Sequence, residues 1–369
     1  MYLAGNPITF FSLLIRNKGF SISRIFFLII YSVKTFLSFI SGLIEMIFYS
    51  RKIENVKITK PPLFILGHFR SGTTLLQKLL SCDDNFGYIK YVDVLCPVSA
   101  FIFPGITRKC MQFLIRFFKI KNVFFNNLDV NLDDPGEEDL YMSSGGSRYS
   151  TAWGFVFPRA ITTYFDKWTT FENDKNKKKW ERAYNYHLKR ITLKNNHKPL
   201  ILKSPPNLAR VRCLLEMFPD ARFVFVYRNP YTIFYSMQKL WINVIGKYFA
   251  LQKISGHERD EYIFSIYLKL MDQFEKDKGL IPEGNLIEIR YEDLEKDPAG
   301  EIARIYTSLG LPGFDHSIES MKHRIAGEKK YSAFTYQYEQ RVLDQVYERW
   351  AYFIDKWNYE RPKTVDHLT

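Results

Sequence analysis

The sequence predicts an α/β fold: a doubly wound parallel sheet with helices on both faces, preceded by an N-terminal apolar helical segment. The apolar runs and the helical stretches between them carry this prediction. After residue 60, short continuous apolar runs alternate with long helical stretches, and such runs are typical of strands in a parallel sheet that is covered on both faces. The runs are LFIL (63–66), PLILK (199–203), RFVFVYR (222–228) and NLIEIRY (285–291), and the clearest helical stretches span 174–195 and 256–278.

The chain has enough apolar residues to build a large core. It contains 369 residues, of which 46% are hydrophobic and 17% are aromatic, so a disordered chain is excluded. We assign residues 1–56 to the apolar N-terminal segment and residues 57–369 to one α/β domain with a large insertion at about 93–195. No internal repeat or low-complexity linker divides this domain.

The net charge of +13 predicts an anionic partner. Charge alone does not distinguish among a nucleotide, a nucleic acid and acidic lipid headgroups. The only dense lysine run is NDKNKKKW (173–180), and no nucleic-acid recognition motif accompanies it. The four cysteines form no C-x-x-C pair, so neither a disulfide framework nor a zinc site is indicated.

The stretch from Ile25 to Ser50 is long and apolar enough to cross a bilayer. Lys34 and Glu45 lie inside it and basic residues flank both ends, which fits a helix lying in the membrane interface better than a span. A span, and helices that pack on the protein's own core, remain the alternatives. We expect a cytoplasmic protein at a membrane surface in preference to a Golgi-type lumenal anchor, in keeping with the absence of an N-x-[ST] sequon.

The stretch GHFRSGTT (67–74) lies between a predicted strand and a predicted helix, which is the position of a phosphate-binding loop. The predicted parallel sheet is therefore of the P-loop type. Thr73 stands where such loops carry lysine. The first three strand runs each deliver a cation, Arg70, Lys203 or Arg228, and neither later strand end supplies the acidic residue that a magnesium-dependent NTPase needs. The pattern predicts a phosphorylated ligand held by amides, hydroxyls and arginines without a metal.

Three motifs resemble one family, the sulfotransferases that use 3′-phosphoadenosine 5′-phosphosulfate (PAPS). GHFRSGTTLLQKLL is similar to their 5′-phosphosulfate loop, and FVFVYRNPYTIFYSM (223–237) is similar to their 3′-phosphate strand and loop, with Ser236 eight residues after Arg228. IRYEDLEKDPAGEIARIYTSLGL (289–311) resembles a later strand, acidic turn and helix. The resemblance covers roughly residues 57–355 in the family's order.

The resemblance implies PAPS as sulfuryl donor, no metal, and a role for each matching residue. The loop amides, with Arg70 and the threonine hydroxyls, are expected to hold the 5′-phosphate, while Lys203 faces the transferring group and stabilises charge on its bridging oxygen. Lys329 or Lys330 is expected to reach the nucleotide from a later segment. The expected donor-binding residues are Arg70, Ser71, Gly72, Thr73, Thr74, Arg228, Ser236 and Lys330.

Sulfuryl transfer to a hydroxyl needs a general base, because the attacking oxygen loses its proton. The segment 122–142 resembles the family's stretch in which acidic residues follow a proline, which implies Glu138 or Glu137 as the base, with Asp139 beside them. Clustered carboxylates raise one another's pKa, but DDPGEED is also a good helix start. His68 is the rival base, or a residue that only shapes the loop.

The segments 97–125 and 149–165 are rich in aromatic and apolar residues, which either line an acceptor pocket or pack over the sheet. With the N-terminal segment, they favour a lipophilic alcohol, a sterol or a lipid, over a glycan, and a glycan over a peptide or small phenol. A P-loop kinase that uses ATP, and a non-enzymatic basic protein that binds membranes or nucleic acid, are the alternatives from other classes. The lysine-free loop together with Arg228 and Ser236 disfavours both.

Overall fold

A parallel sheet forms the centre of the computed structural model, which describes residues 7–117, 121–122, 128–129, 131–328 and 336–364. The strands are β1 (Leu63–Leu66), β2 (Gly87–Tyr88), β3 (Lys121–Asn122), β4 (Leu128–Asp129), β5 (Leu200–Lys203), β6 (Arg222–Tyr227) and β7 (Leu286–Arg290). Five of them pair in the order β2-β5-β1-β6-β7, all parallel, and β3 and β4 form a separate antiparallel pair. The predicted doubly wound parallel sheet is confirmed. The short strand β2 was not predicted, because two residues are too few to show a strand pattern.

Both faces of the sheet are buried, as continuous apolar strands require. In β1, Phe64 and Leu66 belong to one core cluster, whereas Leu63 and Ile65 belong to the other. All four side chains are at most 1% exposed. Because successive side chains of a strand point to opposite faces, this short run contributes to two cores at once.

The helices lie on both sides of this sheet. Helices α4 and α15 to α17 pack on one face, and α8 to α14 with α1 and α18 pack on the other. Their bounds are α1 (Pro7–Arg16), α2 (Ile25–Phe48), α3 (Ser50–Glu54), α4 (Thr73–Leu80), α5 (Tyr91–Leu95), α6 (Ser99–Ile102), α7 (Pro104–Phe117), α8 (Glu138–Ser144), α9 (Trp153–Val156), α10 (Ile161–Trp168), α11 (Asp174–Lys194), α12 (Val211–Met217), α13 (Pro230–Leu240), α14 (Gly256–Asp277), α15 (Tyr291–Lys296), α16 (Pro298–Ser308), α17 (Phe314–Glu328) and α18 (Gln340–Lys356).

The two long helices predicted from the sequence are confirmed as α11 and α14, and local capping explains where they begin. The Asn173 side chain accepts a hydrogen bond from the amide of Asn176 at 2.9 Å, which satisfies one free amide of the first turn of α11. Ser255 and Glu258 form a reciprocal capping box at the start of α14. After α13, residues 241–249 continue as a π-helix, a form that is common near functional sites.

The N-terminal helices pack against the α/β domain. Glu45, 1% exposed, accepts hydrogen bonds from Arg190 Nη1 at 2.8 Å and from the Tyr186 hydroxyl at 2.9 Å, both on α11. Lys34 Nζ donates to Ser144 Oγ at 3.1 Å. The two charges inside the apolar stretch therefore face the protein. By length and composition α2 remains apolar enough to cross a membrane, and the boundary predicted at residue 57 falls between α3 and β1.

Candidate active site

The loop that joins β1 to α4 is held in a conformation that needs glycine. Gly72 has φ of +97° and caps α4, and a Cβ at this position would collide with the ring of Tyr291. A Cβ on Gly67 would lie 2.5 Å from Ser71 Oγ and 2.7 Å from the carbonyl oxygen of Val226. The loop is thus folded tightly back on itself, and it places the free amides at the start of α4 beside the carboxyl end of the sheet.

The loop and the motif that follows β6 meet in space, although more than 150 residues separate them. Arg70 Nε donates to Ser236 Oγ at 2.8 Å, and Arg228 Nη1 donates to the carbonyl oxygen of Arg70 at 3.0 Å. The Arg228 guanidinium also lies over the ring of Tyr291, 4.1 Å from its centroid. The hydroxyl of Ser71 is buried and has no hydrogen-bond partner among the described residues. We call these residues, with the loop amides, the donor site.

Lys203, the last residue of β5, brings a cation to the loop. Its Nζ donates to Thr74 Oγ1 at 3.3 Å and forms an ion pair with Glu137. The Lys203 side chain is only 3% exposed, and that of Glu137 is 23% exposed. The hydroxyl of the loop, the cation and one carboxylate are therefore adjacent.

The neighbouring carboxylates Glu138 and Asp139 point into the protein. Glu138 is 2% exposed, and it accepts hydrogen bonds from Tyr184, from Asn207 and from the backbone amide of Lys203 at 2.9 to 3.1 Å. Burial raises the pKa of Glu138 to about 7. Asp139 pairs with Arg210 at 2.6 Å. Both carboxylates hold the segment that follows β5, so the geometry favours Glu137 over Glu138 as the group that can reach an acceptor.

His68 also lies away from the reacting region. It is 2% exposed, its Nδ1 contacts the carbonyl oxygen of Phe69 at 2.9 Å, and its ring packs against Tyr267. Burial lowers the pKa of His68 to about 4. These contacts favour the loop-shaping interpretation over a role as the base. Lys329 and Lys330 lie outside the described residues, and within the described part no group of three or more His, Cys, Asp or Glu side chains is placed to hold a metal.

A cavity of about 270 Å³ opens from the donor site into an apolar region. One end is lined by Arg70, Thr73, Thr74, Glu137 and Lys203. The rest is built by α1 and α2, by segments around 91–94, 135–146 and 152–156, and by the π-helix region; examples are Phe10, Tyr31, Leu140, Trp153, Phe155, Ile245 and Phe249. We call this the acceptor cavity.

The sequence located only part of this lining. The predicted segment 149–165 contributes Trp153, Phe155 and their neighbours, whereas the described residues of segment 97–125 contribute none. The contributions of α1, α2 and the π-helix region were missed. Their apolar side chains alone do not distinguish a cavity lining from ordinary core packing.

Comparison with known proteins agrees with this geometry. A model of the sulfotransferase family matches residues 61–316. The chain is 29% identical to two curated relatives, both named omega-hydroxy-beta-dihydromenaquinone-9 sulfotransferase Stf3, from Mycobacterium bovis and Mycobacterium tuberculosis. Each alignment covers 98% of this chain and 92% of the relative.

Solved structures show the same fold at lower identity. Sulfotransferase STF1 from Mycobacterium tuberculosis superposes with a TM-score of 0.68 at 19% identity, over 93% of this chain and 90% of that one. Sulfotransferase STF9 from Mycobacterium avium gives 0.69 at 16% identity, over 90% and 86%. With a family model that matches more than half of its length on the strands and loops described above, the chain belongs to the sulfotransferase family.

Proposed function

We propose that the protein transfers the sulfuryl group of PAPS to a hydroxyl of a lipophilic acceptor. The observation that carries this proposal is the shared cavity. A single space joins the loop residues Thr73 and Thr74, the Lys203–Glu137 pair and a largely apolar lining. A hydroxyl on an apolar molecule can therefore reach the donor site while the rest of the molecule stays out of water.

The residues of the donor site fit PAPS. The hydroxyl of Ser71, which is buried and has no partner in the described part of the chain, and the amides that begin α4 suit the 5′-phosphosulfate, because helix N-termini favour anions. Arg228 and Ser236, linked through Arg70, supply a cation and a hydroxyl for a 3′-phosphate. A 3′-phosphate distinguishes this donor from ATP, which makes the kinase alternative the weaker one.

PAPS supplies the sulfuryl group, and the chemistry left to the protein is proton transfer and charge stabilisation. Glu137 lines the acceptor cavity and is placed to take the proton from the acceptor hydroxyl. Lys203, between Glu137 and Thr74, is placed to stabilise negative charge on the oxygen that leaves the sulfuryl group. In the free enzyme the two side chains pair, which keeps both charged groups stable in a partly buried place.

Two lines of support favour a lipophilic acceptor over a glycan. Most of the cavity surface is apolar, and its aromatic and aliphatic side chains suit an apolar molecule better than a row of sugar hydroxyls. The named relatives act on a menaquinone derivative. A lipid alcohol is therefore the acceptor class that we propose for this chain.

A membrane surface is the proposed source of this acceptor. The inward side of α2 is fixed by Glu45 and Lys34, so a membrane span would place both charges in hydrocarbon without these partners. The outward side carries large apolar side chains in water, at 46 to 72% exposure for Ile25, Phe26, Ile29, Ile30, Val33, Phe36, Leu37, Ile40, Ile47 and Phe48.

Exposed basic residues accompany this apolar side. Arg16 ends α1 and Lys18 follows it, and Arg51 and Lys52 lie on α3, directly after α2. Apolar side chains with flanking cations are the arrangement of helices that lie in the interface of an anionic bilayer. We therefore propose that α1 and α2 dock on an anionic membrane surface on the cytoplasmic side, with the acceptor cavity behind them.

The donor is tested first, by thermal stabilisation of the full chain with adenosine 3′,5′-bisphosphate in the presence of EDTA. We expect a shift that 5′-AMP does not reproduce, because 5′-AMP lacks the 3′-phosphate. Stabilisation by ATP with magnesium alone would instead favour the kinase alternative.

The acceptor is tested by transfer of radiolabelled sulfate from PAPS. Wild type is incubated with a lipid alcohol in detergent or with a soluble glycan, and product is separated by partition into organic solvent. Label in the organic phase supports the proposal. Label found only on the glycan, with normal binding of the bisphosphate, would contradict the acceptor class while keeping the donor.

Membrane docking is tested by sedimentation with vesicles of phosphatidylglycerol or phosphatidylcholine. We expect wild type to bind the anionic vesicles and the double variant Ile29→Glu, Leu37→Glu to bind at least about tenfold less, since charged groups are excluded from the interface interior. Leu280→Glu, another exposed apolar position, is the matched control. Equal binding of the double variant and wild type would overturn the docking surface.

A further inference from the structure

The acceptor cavity contains a second polar place, away from the donor site. Lys34 on α2 lines the cavity, and its Nζ donates to Ser144 Oγ at 3.1 Å. In the part of the chain that the structure describes, no carboxylate pairs with it. Burial lowers the pKa of this ammonium group.

The Lys34–Ser144 pair lies at a defined distance from Glu137, the proposed base. Glu137 caps the N-terminus of α8, and Ser144 is the last residue of the same helix. Seven residues at 1.5 Å each put the two positions about 10 Å apart along the helix axis. Helix α8 therefore separates a proton acceptor at one end from a hydrogen-bond donor at the other.

A partly buried ammonium without a carboxylate is costly, and the protein provides only one hydroxyl for its three N–H donors among the hydrogen bonds that the structure describes. Ser38, one turn after Lys34 on α2, and Ser143 on α8 also line the cavity, so further hydroxyls accompany Lys34 and Ser144. A ligand oxygen that approached Lys34 would accept a hydrogen bond and remove part of that cost.

We propose that Lys34 and Ser144 bind a carbonyl or carboxylate oxygen of the acceptor, about 10 Å from the hydroxyl that receives the sulfuryl group. The acceptor is then a lipid with two polar ends and an apolar middle. This inference rests on the proposed function and narrows it, because an unsubstituted alcohol would fill the cavity but leave the Lys34 ammonium with Ser144 as its one described hydrogen-bond partner.

The test compares three acceptors of matched chain length: a linear alkanol, an ω-hydroxy fatty acid and an ω-hydroxy methyl ketone, each with a chain long enough to span about 10 Å. We expect wild type to use at least one oxygen-bearing acceptor with a kcat/KM about tenfold or more above that of the alkanol. Preference for the acid or for the ketone then distinguishes a carboxylate from a carbonyl.

Lys34→Met removes the charge and keeps an unbranched apolar side chain of similar length. In this variant we expect the kcat/KM ratio between oxygen-bearing acceptor and alkanol to fall to about 1, with the change in KM larger than the change in kcat. Lys57→Met, on an exposed residue before β1, is the matched control and should retain the ratio. If Lys34→Met does not fold, the three acceptors compared in wild type still decide the question.

Two failures are distinguishable. If wild type sulfates the alkanol as well as both oxygen-bearing acceptors, or if Lys34→Met keeps the preference, the Lys34 site is overturned and the lipophilic acceptor stands. If wild type sulfates none of the three while binding adenosine 3′,5′-bisphosphate, the lipophilic acceptor itself is wrong, and the Lys34 site falls with it.

Discussion

The donor site and the acceptor cavity share an opening, yet they are built in different ways. The donor site consists of two short motifs at the ends of adjacent strands, β1 and β6. The acceptor cavity takes its lining from α1 and α2, from segments between residues 91 and 156, and from the π-helix region. The donor site is thus built from short motifs, whereas the shape of the acceptor cavity depends on how distant segments pack.

The largest effect is expected at the point where the two regions meet. Glu137→Gln should lower turnover by about 10² to 10⁴, because an amide cannot accept the acceptor's proton. Binding of adenosine 3′,5′-bisphosphate and the melting temperature should change little. Steady-state kinetics with calorimetric titration separates these quantities.

Glu138→Gln is the control for that experiment. An amide has one oxygen, so it cannot satisfy the hydroxyl of Tyr184, the amide of Asn207 and the backbone of Lys203 as a carboxylate does. We expect lower thermal stability with a smaller loss of turnover. Full activity in Glu137→Gln, with turnover lost in a stable Glu138→Gln, would return the base to Glu138.

The next largest effect is expected on stability, and it tests whether α2, which lines one side of the acceptor cavity, is part of the folded domain. Glu45→Ala should reduce the free energy of unfolding by about 3–5 kcal/mol, because it leaves the buried Arg190 without its partner. Glu319→Ala breaks an exposed pair with Lys322 and should cost less than about 1 kcal/mol. Similar denaturation midpoints for the two variants would mean that α2 is not held by the Glu45 pair.

A smaller effect is expected on the donor side alone. Arg228→Ala should weaken binding of adenosine 3′,5′-bisphosphate by about 2 kcal/mol, roughly 30-fold, through loss of a charge-assisted contact. Arg222→Ala, at the opposite end of β6, should leave the affinity unchanged. An unaltered dissociation constant for Arg228→Ala in calorimetric titration would remove its role at the 3′-phosphate.

A substitution in the acceptor cavity should affect use of the acceptor and leave binding of the bisphosphate unchanged. Ser38→Trp fills part of the cavity and should lower kcat/KM for a lipid alcohol by about tenfold, without changing affinity for the bisphosphate. Ser32→Trp adds the same bulk to the outer groove of α2. If both variants lose activity equally, the effect comes from disturbing α2 and not from occupying the cavity.

The same contrast explains what the sequence could predict. The strands and the loop follow from short-range patterns, and Arg70, Lys203 and Arg228 are expected at one edge of the sheet because the carboxyl ends of parallel strands share that edge. The orientation of Glu137 and Glu138 does not, because adjacent residues at a helix start point in different directions and only packing decides which one is buried. Likewise, the sequence shows Lys34 only as a charge that disfavours a membrane span. That its side chain lines the cavity follows from the packing of α2 against the domain.

The smallest effect concerns His68, behind the donor loop, and it appears as a pH dependence of stability. Burial lowers its pKa to about 4 in the folded protein, whereas an unfolded histidine has a pKa of about 6.5. The unfolded chain therefore binds more protons between these values, and stability present above pH 6.5 is lost as the pH falls towards 4. Between pH 7 and 5.5 the contribution of this residue amounts to about 1 kcal/mol.

His68→Phe removes the titrating group and keeps a ring against Tyr267. Chemical denaturation at pH 7 and 5.5 should show that the variant loses about 1 kcal/mol less than wild type over this interval. His187, which is also buried and whose pKa burial lowers, is present in both proteins, so the difference isolates His68. Parallel losses would mean that folding does not lower the pKa of His68, and the histidine would then return as a rival for the base.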